Sequence, residues 1–157
     1  MKRGKYIAFL FGFIIAGLVP AAHADTLAGR ASVIDGDTLE LHGERVRLWG
    51  VDAPESRQTC GDPVWRCGQR AANELALWIG QRTVTCEPQG KSYNRIVAVC
   101  SVGGTDIAAW LVTQGWALDD ARYSGGAYAD EQATARAAGR GVWAGEFEMP
   151  WDFRRKR

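Results

Sequence analysis

The order of apolar and polar positions along the chain predicts a run of short strands interleaved with helices. Leu27 to Ile34 reads as a first strand. Asp37-Thr38-Leu39-Glu40-Leu41 and then Val46 to Val51 alternate with the two-residue period of half-buried strands, with His42-Gly43-Glu44-Arg45 as a short turn between them. Thr83 to Cys86 and Ile96 to Cys100 add two more strands on either side of a loop containing Pro, Gly and Asn. The period lengthens elsewhere. In Gln69 to Ile79, Ala71, Leu75 and Trp78 fall on one helical stripe, and Gly80 is placed to end it. Asp106 to Gln114 is a second predicted helix, with Thr105 as its cap, Ile107, Trp110 and Leu111 inward, and Gly115 after it. Ala129 to Ala138 is an alanine-rich third helix that stops at Gly139. Short strands in sequence with a few helices imply an α+β domain built on a small barrel.

The first residues do not belong to that pattern. Lys2, Arg3 and Lys5 precede an apolar stretch of 14 residues, Tyr6 to Val19, and Ala22-His23-Ala24 supplies a small-x-small cleavage site before Asp25. A membrane-spanning helix needs about 20 apolar residues, so the stretch is short for an anchor. Residues 1–24 are therefore expected to be a signal peptide. The head has no twin arginine, which favours the general secretory route. The expected location is the periplasm or the medium, without stable membrane association once the signal is cleaved.

Cleavage leaves 133 residues, enough for one domain with one core. It removes three basic residues and no acidic ones, so the mature charge is −2. That excludes the strongly basic footprint of a general nucleic-acid binder. Any polyanion must be held by a local site or through a cation. The basic run Arg154-Arg155-Lys156-Arg157 reads as a solvated tail, and residues 149–157 are set apart as a basic C-terminal segment.

Four cysteines remain, Cys60, Cys67, Cys86 and Cys100, an even count that in an exported protein points to disulfides with three possible connectivities. Zinc is disfavoured, because there is no CxxC pair and His42 is the only histidine left after cleavage. The same scarcity argues against Ser-His-Asp and Cys-His chemistry, since His42 sits beside Gly43 in a surface turn.

The informative residues are Asp35-Gly36-Asp37-Thr38 and Asp52-Ala53-Pro54-Glu55. With the turn near Gly43 to Arg45 taken as a hairpin, pairing Glu44 with Arg45 sets Asp37 opposite Asp52, and a shift of register sets Asp35 there instead. Either register brings carboxylates together at the open end of one strand pair. Like charges about 5 Å apart repel by roughly 3 kcal/mol at an effective dielectric of 20, a cost that a proton or a cation between them relieves. Oxygen ligands select Ca²⁺ or Mg²⁺ over zinc or copper. An EF-hand is excluded, because Glu40 stands where its loop needs glycine. Arg47 and Arg95 lie near this cluster, and an arginine fork matches phosphate oxygens. Acids, cation and forked arginines are the parts needed to hold and cleave a phosphodiester.

These residues carry a resemblance. Val33-Ile34-Asp35-Gly36-Asp37-Thr38-Leu39-Glu40-Leu41 and Arg47-Leu48-Trp49-Gly50-Val51-Asp52-Ala53-Pro54-Glu55 closely resemble the signature of staphylococcal-nuclease-like (thermonuclease-like) domains. Tyr93-Asn94-Arg95 is similar to the family's Tyr-Gly-Arg segment, and Ile107 to Gly115 and Gly139 to Trp143 fit as well, so the likeness spans about Leu27 to Trp143. It implies a five-stranded OB-fold β-barrel with three α-helices over residues 25–148. It also implies Ca²⁺-dependent hydrolysis of DNA or RNA. On this resemblance Asp37 and Asp52 ligate calcium by side chain and Ala53 by its carbonyl. Glu55 is the general base. Arg47 and Arg95 bind and stabilise the phosphate, Tyr93 assists them, and Tyr123 lies by the nucleotide. The protein is expected to act as a monomer.

The chain departs from the family pattern in places. The hairpin between Leu41 and Arg47 is short, Ala53 replaces a threonine, and Asn94 replaces a glycine, where a left-handed backbone is still tolerated. Lys91 and Ala121 are unusual, and Asp119 and Asp120 add negative charge on the expected nucleotide side. Among the three connectivities we expect Cys60–Cys67, closing a loop just after Glu55, and Cys86–Cys100, bridging neighbouring strands. Two competing functions are a non-catalytic OB module that binds a nucleic acid or protein, and a small disulfide-bonded structural domain. The first is disfavoured by the intact set Asp37, Arg47, Asp52, Glu55 and Arg95. The second would use the seven tryptophans as interface residues, although core filling is their ordinary use.

Overall fold

The computed structural model describes residues 26–156. The proposed signal peptide, residues 1–24, lies outside the described residues, as does Arg157. Strands β1 (Leu27–Gly29), β2 (Ala31–Asp35), β3 (Thr38–Leu41) and β4 (Glu44–Leu48) come first, followed by the short β5 (Val51–Asp52) and helix α1 (Cys67–Ile79). A long hairpin, β6 (Val84–Ser92) and β7 (Arg95–Val102), leads through β8 (Thr105–Asp106) into α2 (Ile107–Thr113). The chain closes with β9 (Leu118–Asp119), α3 (Ala121–Ser124), α4 (Ala129–Ala137), a 3-10 turn at Gly141–Ala144 and α5 (Pro150–Arg155). Among the described residues no helix is long and apolar enough to cross a membrane.

The main sheet runs β1-β6-β7-β4-β3-β2, antiparallel except for the parallel pair β4–β7, with β8 added beside β7. The expected α+β class is what the chain forms. A closed five-stranded barrel with three helices is not: no ladder joins β1 to β2, and five α-helices stand among the described residues. The two end strands are nevertheless consecutive in the chain and separated only by Arg30, so one bent segment supplies both ends of a curled sheet. The extra helices, α3 and α5, are four and six residues long, too short for a periodic pattern to reveal.

Strand alternation sends Leu39, Leu41, Val46, Leu48, Val84, Cys86, Ala98, Cys100 and Val102 inward, where they meet Leu75 and Ile79 of α1 and Ile107, Leu111 and Val112 of α2 in one buried cluster. The Cys86–Cys100 bridge spans directly paired positions of β6 and β7, and Cys60–Cys67 ties the loop after β5 to the start of α1, so both expected pairings hold. The tryptophans mostly pack in pairs within the fold: Trp78 stacks on Trp110 at 4.4 Å, and Trp65 meets Trp116 edge-on. The cap of α2 is Asp106 rather than Thr105, because the carboxylate reaches the amides of Ala108 and Ala109. Asp106 also accepts the Tyr128 hydroxyl.

The first hairpin departs from the expected register. Leu41 pairs with Glu44 and Thr38 with Arg47, around a tight turn in which His42 and Gly43 both take positive φ. Asp37 therefore lies level with Leu48, whose amide donates to its carbonyl at 2.8 Å, and not opposite Asp52. The chain then breaks at Gly50, φ 74°, and Val51–Asp52 pairs with Leu118–Asp119 in a separate two-stranded sheet. A Cβ on Gly50 would press on Ser124 and Tyr128 at about 3 Å, so this corner also needs glycine for its packing.

Candidate active site

Asp37 and Asp52 do converge, through the corner at Gly50 and one shared arginine. Arg47 Nη1 donates to Asp37 Oδ1 at 2.9 Å, while Nη2 donates to Asp52 Oδ1 at 3.1 Å and to the Val51 carbonyl at 3.3 Å. Arg47 projects from β4 between the Asp-Gly-Asp turn and the segment that returns after the corner. Ala53 completes the link, its amide donating to Asp37 Oδ2 at 3.2 Å. The small side chains let the two segments close up: a Cβ on Gly36 would stand 2.6 Å from the Ala53 methyl. Asp35 accepts the Asp37 amide at 3.0 Å and lines the same cavity.

Burial pushes the Asp37 carboxyl up to about 7, and the charges of Asp35 and Asp52 add to the rise against the opposing pull of Arg47 and the Ala53 amide. Arg47 is held more firmly protonated than usual. Burial disfavours its charge, but Asp37 and Asp52 outweigh that.

Glu55 is positioned from beneath by α1. A Cβ on Gly68 would lie 1.8 Å from the Glu55 carbonyl oxygen, so only glycine lets the helix seat against the Pro54–Glu55 backbone. Gln58, fully buried, holds the same loop: its Oε1 accepts the Glu55 amide at 3.1 Å, and its Nε2 donates to the Glu148 carbonyl at 2.6 Å. The Cys60–Cys67 bridge closes the segment.

A cavity of about 960 Å³ opens over these groups, lined by Asp37, Arg47, Ala53, Glu55, Lys91, Tyr93, Arg95, Tyr123 and Arg154 among others. Arg95 enters at the first residue of β7, donates to Thr38 Oγ1 at 3.4 Å, and makes no ion pair among the described residues. Tyr93 and Tyr123 stand at the mouth, 97% and 70% exposed. Tyr93, not Asn94, takes the left-handed conformation of the turn, φ 55°, which fixes it at the hairpin tip beside the cavity. Asp120 does not leave free negative charge there, because Arg122 pairs with both of its carboxylate oxygens at 2.8 Å.

Arg154 is the residue whose place the sequence did not reveal. The C-terminal segment is not a solvated tail through its length. Helix α5 lies against the site, and Arg154 donates from Nη1 to Asp52 Oδ1 and Glu55 Oε1, both at 2.8 Å, and from Nη2 to Asp52 Oδ2 at 2.7 Å. The bonds it donates to Asp52 and Glu55 hold its guanidinium protonated more strongly than usual. Between them Arg47 and Arg154 cover Asp52, which is fully buried and does not line the cavity. Gln58 and Gly68 were also not singled out. The one available signal was the glycine in the first turn of a helix that follows the Pro-Glu segment.

The donor set fits a hard divalent cation in kind. Two carboxylates and a carbonyl are oxygens only, the ligand type that hard cations take. It does not form a closed cage. Among the described residues no three or more His, Cys, Asp or Glu side chains are gathered for an ion, so most positions in a shell of six to eight oxygens would be left to water.

Residues 45–145 match the model of the family described as staphylococcal nuclease homologue. The chain is similar to the succinoglycan biosynthesis protein ExoI of Rhizobium meliloti (strain 1021), at 40% identity over 156 aligned residues covering 94% of this chain and 82% of that protein. It is similar also to Protein ParB of Escherichia coli, at 30% identity over 179 aligned residues, 99% of this chain and 96% of that protein.

Proposed function

The chain belongs to the staphylococcal nuclease family, and from that premise we propose that it is an exported, Ca²⁺-dependent nuclease that hydrolyses phosphodiester bonds of DNA or RNA. The observation that supports this most is the gathering of Asp37, Arg47, Glu55 and Arg95 on one cavity, with Asp52 directly beneath. Asp37, Asp52 and the Ala53 carbonyl would hold the cation, which when bound supplies positive charge to the phosphate and lowers the pKa of nearby water.

This chain's residues do the rest. Arg95, free of ion pairs among the described residues, receives the phosphate oxygens. Arg47 fixes the two aspartates and presents its charge at the cavity wall, where negative charge grows in the transition state. Glu55, its backbone locked by Gly68 and Gln58, takes the proton of the attacking water. Tyr93 and Tyr123 offer exposed rings at the mouth for the nucleotide.

The same reading takes the curled sheet as the OB barrel of the family, with its first strand bent in two at Arg30. It takes residues 1–24 as a cleaved signal, the product as a periplasmic or secreted monomer, and residues 25–148 as the nuclease domain. The name of the Rhizobium relative refers to succinoglycan biosynthesis, and neither relative's name specifies a substrate for this chain.

One observation favours the second reading, a non-catalytic binding module: Arg154 occupies both Asp52 and Glu55. A gel assay of the exported protein on single-stranded DNA and RNA, with Ca²⁺ and with chelator, separates the two. Cleavage that chelator abolishes is the expected result. Cleavage undiminished by chelator overturns the calcium role, and binding without cleavage favours the module.

A further inference from the structure

The carboxylates of the site already carry a cation that belongs to the chain. Arg154 engages Asp52 with both nitrogens of its fork and Glu55 with one, at 2.7–2.8 Å. With the bond from Arg47, three of the roughly four acceptor positions on Asp52 are spent. A divalent ion ligated by Asp52 at about 2.3–2.6 Å would stand within a few Å of this guanidinium. Two cations that close repel strongly wherever water is scarce, and Asp52 is fully buried. Glu55 is affected too, because the oxygen that accepts from Arg154 is withdrawn from any water it would deprotonate.

The carrier of Arg154 is a short helix held in place by its contacts. Helix α5 is six residues long, too short to persist in water by itself, so contacts with the rest of the fold decide where it lies. Pro150 is buried at its first position, and Trp151 packs on the cluster of Cys60, Cys67, Leu118 and Val142. Arg122 lies 5.7 Å from the Trp151 ring, and Lys156 pairs with Glu148 at 2.6 Å. Arg154 is 37% exposed and borders the open cavity.

We propose that Arg154 and a divalent cation held by Asp37, Asp52 and the Ala53 carbonyl compete for Asp52, so that docking of α5 holds the enzyme closed, with Glu55 engaged as well, and cation binding releases it. The inference rests on the calcium reading of the site given under the proposed function. It assigns the C-terminal segment a regulatory role that no contact with substrate requires. By thermodynamic reciprocity, whatever α5 subtracts from cation affinity, the cation subtracts from α5 docking.

The test is calorimetric titration of the exported protein with CaCl₂ alone, without substrate. Arg154→Gln should bind Ca²⁺ at least about tenfold more tightly than the unsubstituted protein, since the competing charge is gone. Trp151→Ala, which touches neither carboxylate, should tighten binding as well, by a smaller factor. In the unsubstituted protein, saturating Ca²⁺ should speed amide exchange across residues 151–155 by a factor comparable to the affinity gain. That last measurement needs no variant, so a variant that fails to fold leaves the inference open to refutation. Equal or weaker Ca²⁺ affinity in folded Arg154→Gln, or unchanged exchange in α5, overturns the inference and leaves calcium dependence standing. If no form binds Ca²⁺, both fall.

Discussion

Gly68 and Glu55 approach so closely that a single methyl on the glycine would overlap the Glu55 carbonyl oxygen, at 1.8 Å. The first turn of α1 thereby fixes the backbone that carries the proposed base. Gly68→Ala should push the Pro54–Glu55 segment outward, destabilise the fold by about 1–3 kcal/mol through overpacking, and lower turnover further than the lost stability accounts for. Thermal melts and steady-state kinetics at a temperature where the variant is fully folded check this. A variant with normal turnover means that the Glu55 backbone is not held by this contact.

Glu55 and Arg95 should separate kinetically. Glu55→Gln keeps size and hydrogen bonding but cannot take a proton, so kcat should fall by roughly 10²–10⁴ with KM little changed. Arg95→Lys replaces a fork by a point charge on a group without an ion pair among the described residues. It should raise KM as well as lower kcat, by about 10²–10³ in kcat/KM. If the two substitutions give the same pattern, the division of roles is wrong.

Asp37 predicts a pH signature. Its carboxyl sits near 7 in the folded protein against an ordinary 3.8, chiefly because it is buried. The folded state therefore keeps a proton that the unfolded chain has already lost between those values. The stability this group contributes is complete below about pH 4 and is lost as pH rises through 7. In chelator, the melting temperature of the unsubstituted protein should fall over that window relative to Asp37→Asn. Added Ca²⁺ should reverse the fall near neutrality, since the ion takes the proton's place. A difference curve that rises with pH would contradict the assignment.

The Cys60–Cys67 bridge closes a short loop, with a sequence separation of 7, directly after the Pro54–Glu55 segment. In the chain-entropy account such a loop is worth roughly 2.5 kcal/mol. Replacing both cysteines with alanine should lower stability by about that amount. It should also reduce kcat, because Gln58, which holds the Glu55 amide, stands two residues before the bridge and its carbonyl accepts the amide of Gly68, the residue after it. Denaturant melts and turnover measured together decide whether the bridge serves stability alone.

What the sequence determined by itself is local. The strands expected at 27–34, 37–41, 46–51, 83–86 and 96–100 recur in the fold, although the first is split at Arg30, the third breaks at Gly50 so that Val51 joins the small second sheet, and β6 and β7 extend further into their turn than expected. The 3.6-residue stripe identified α1 and α2, the alanine-rich run before Gly139 identified α4, and both expected disulfide pairings hold. Asp37, Arg47, Asp52, Glu55 and Arg95 were legible because two short blocks of chain hold four of them, and spacing within a block survives any fold.

Tertiary structure decided how those blocks meet. The positive φ of His42 and Gly43 sets the hairpin register so that Asp37 faces Leu48. The break at Gly50 and the pairing of β5 with β9 then bring Asp52 back to Arg47. Arg154 was invisible to pattern, because a contact across 102 positions to Asp52 leaves no periodicity behind. Its seat exists only once the loop after β5, the α3 segment and the Pro150 helix are assembled around a fully buried aspartate. A carboxylate without water needs positive charge from wherever the folded chain can deliver it, and here the last helix delivers it.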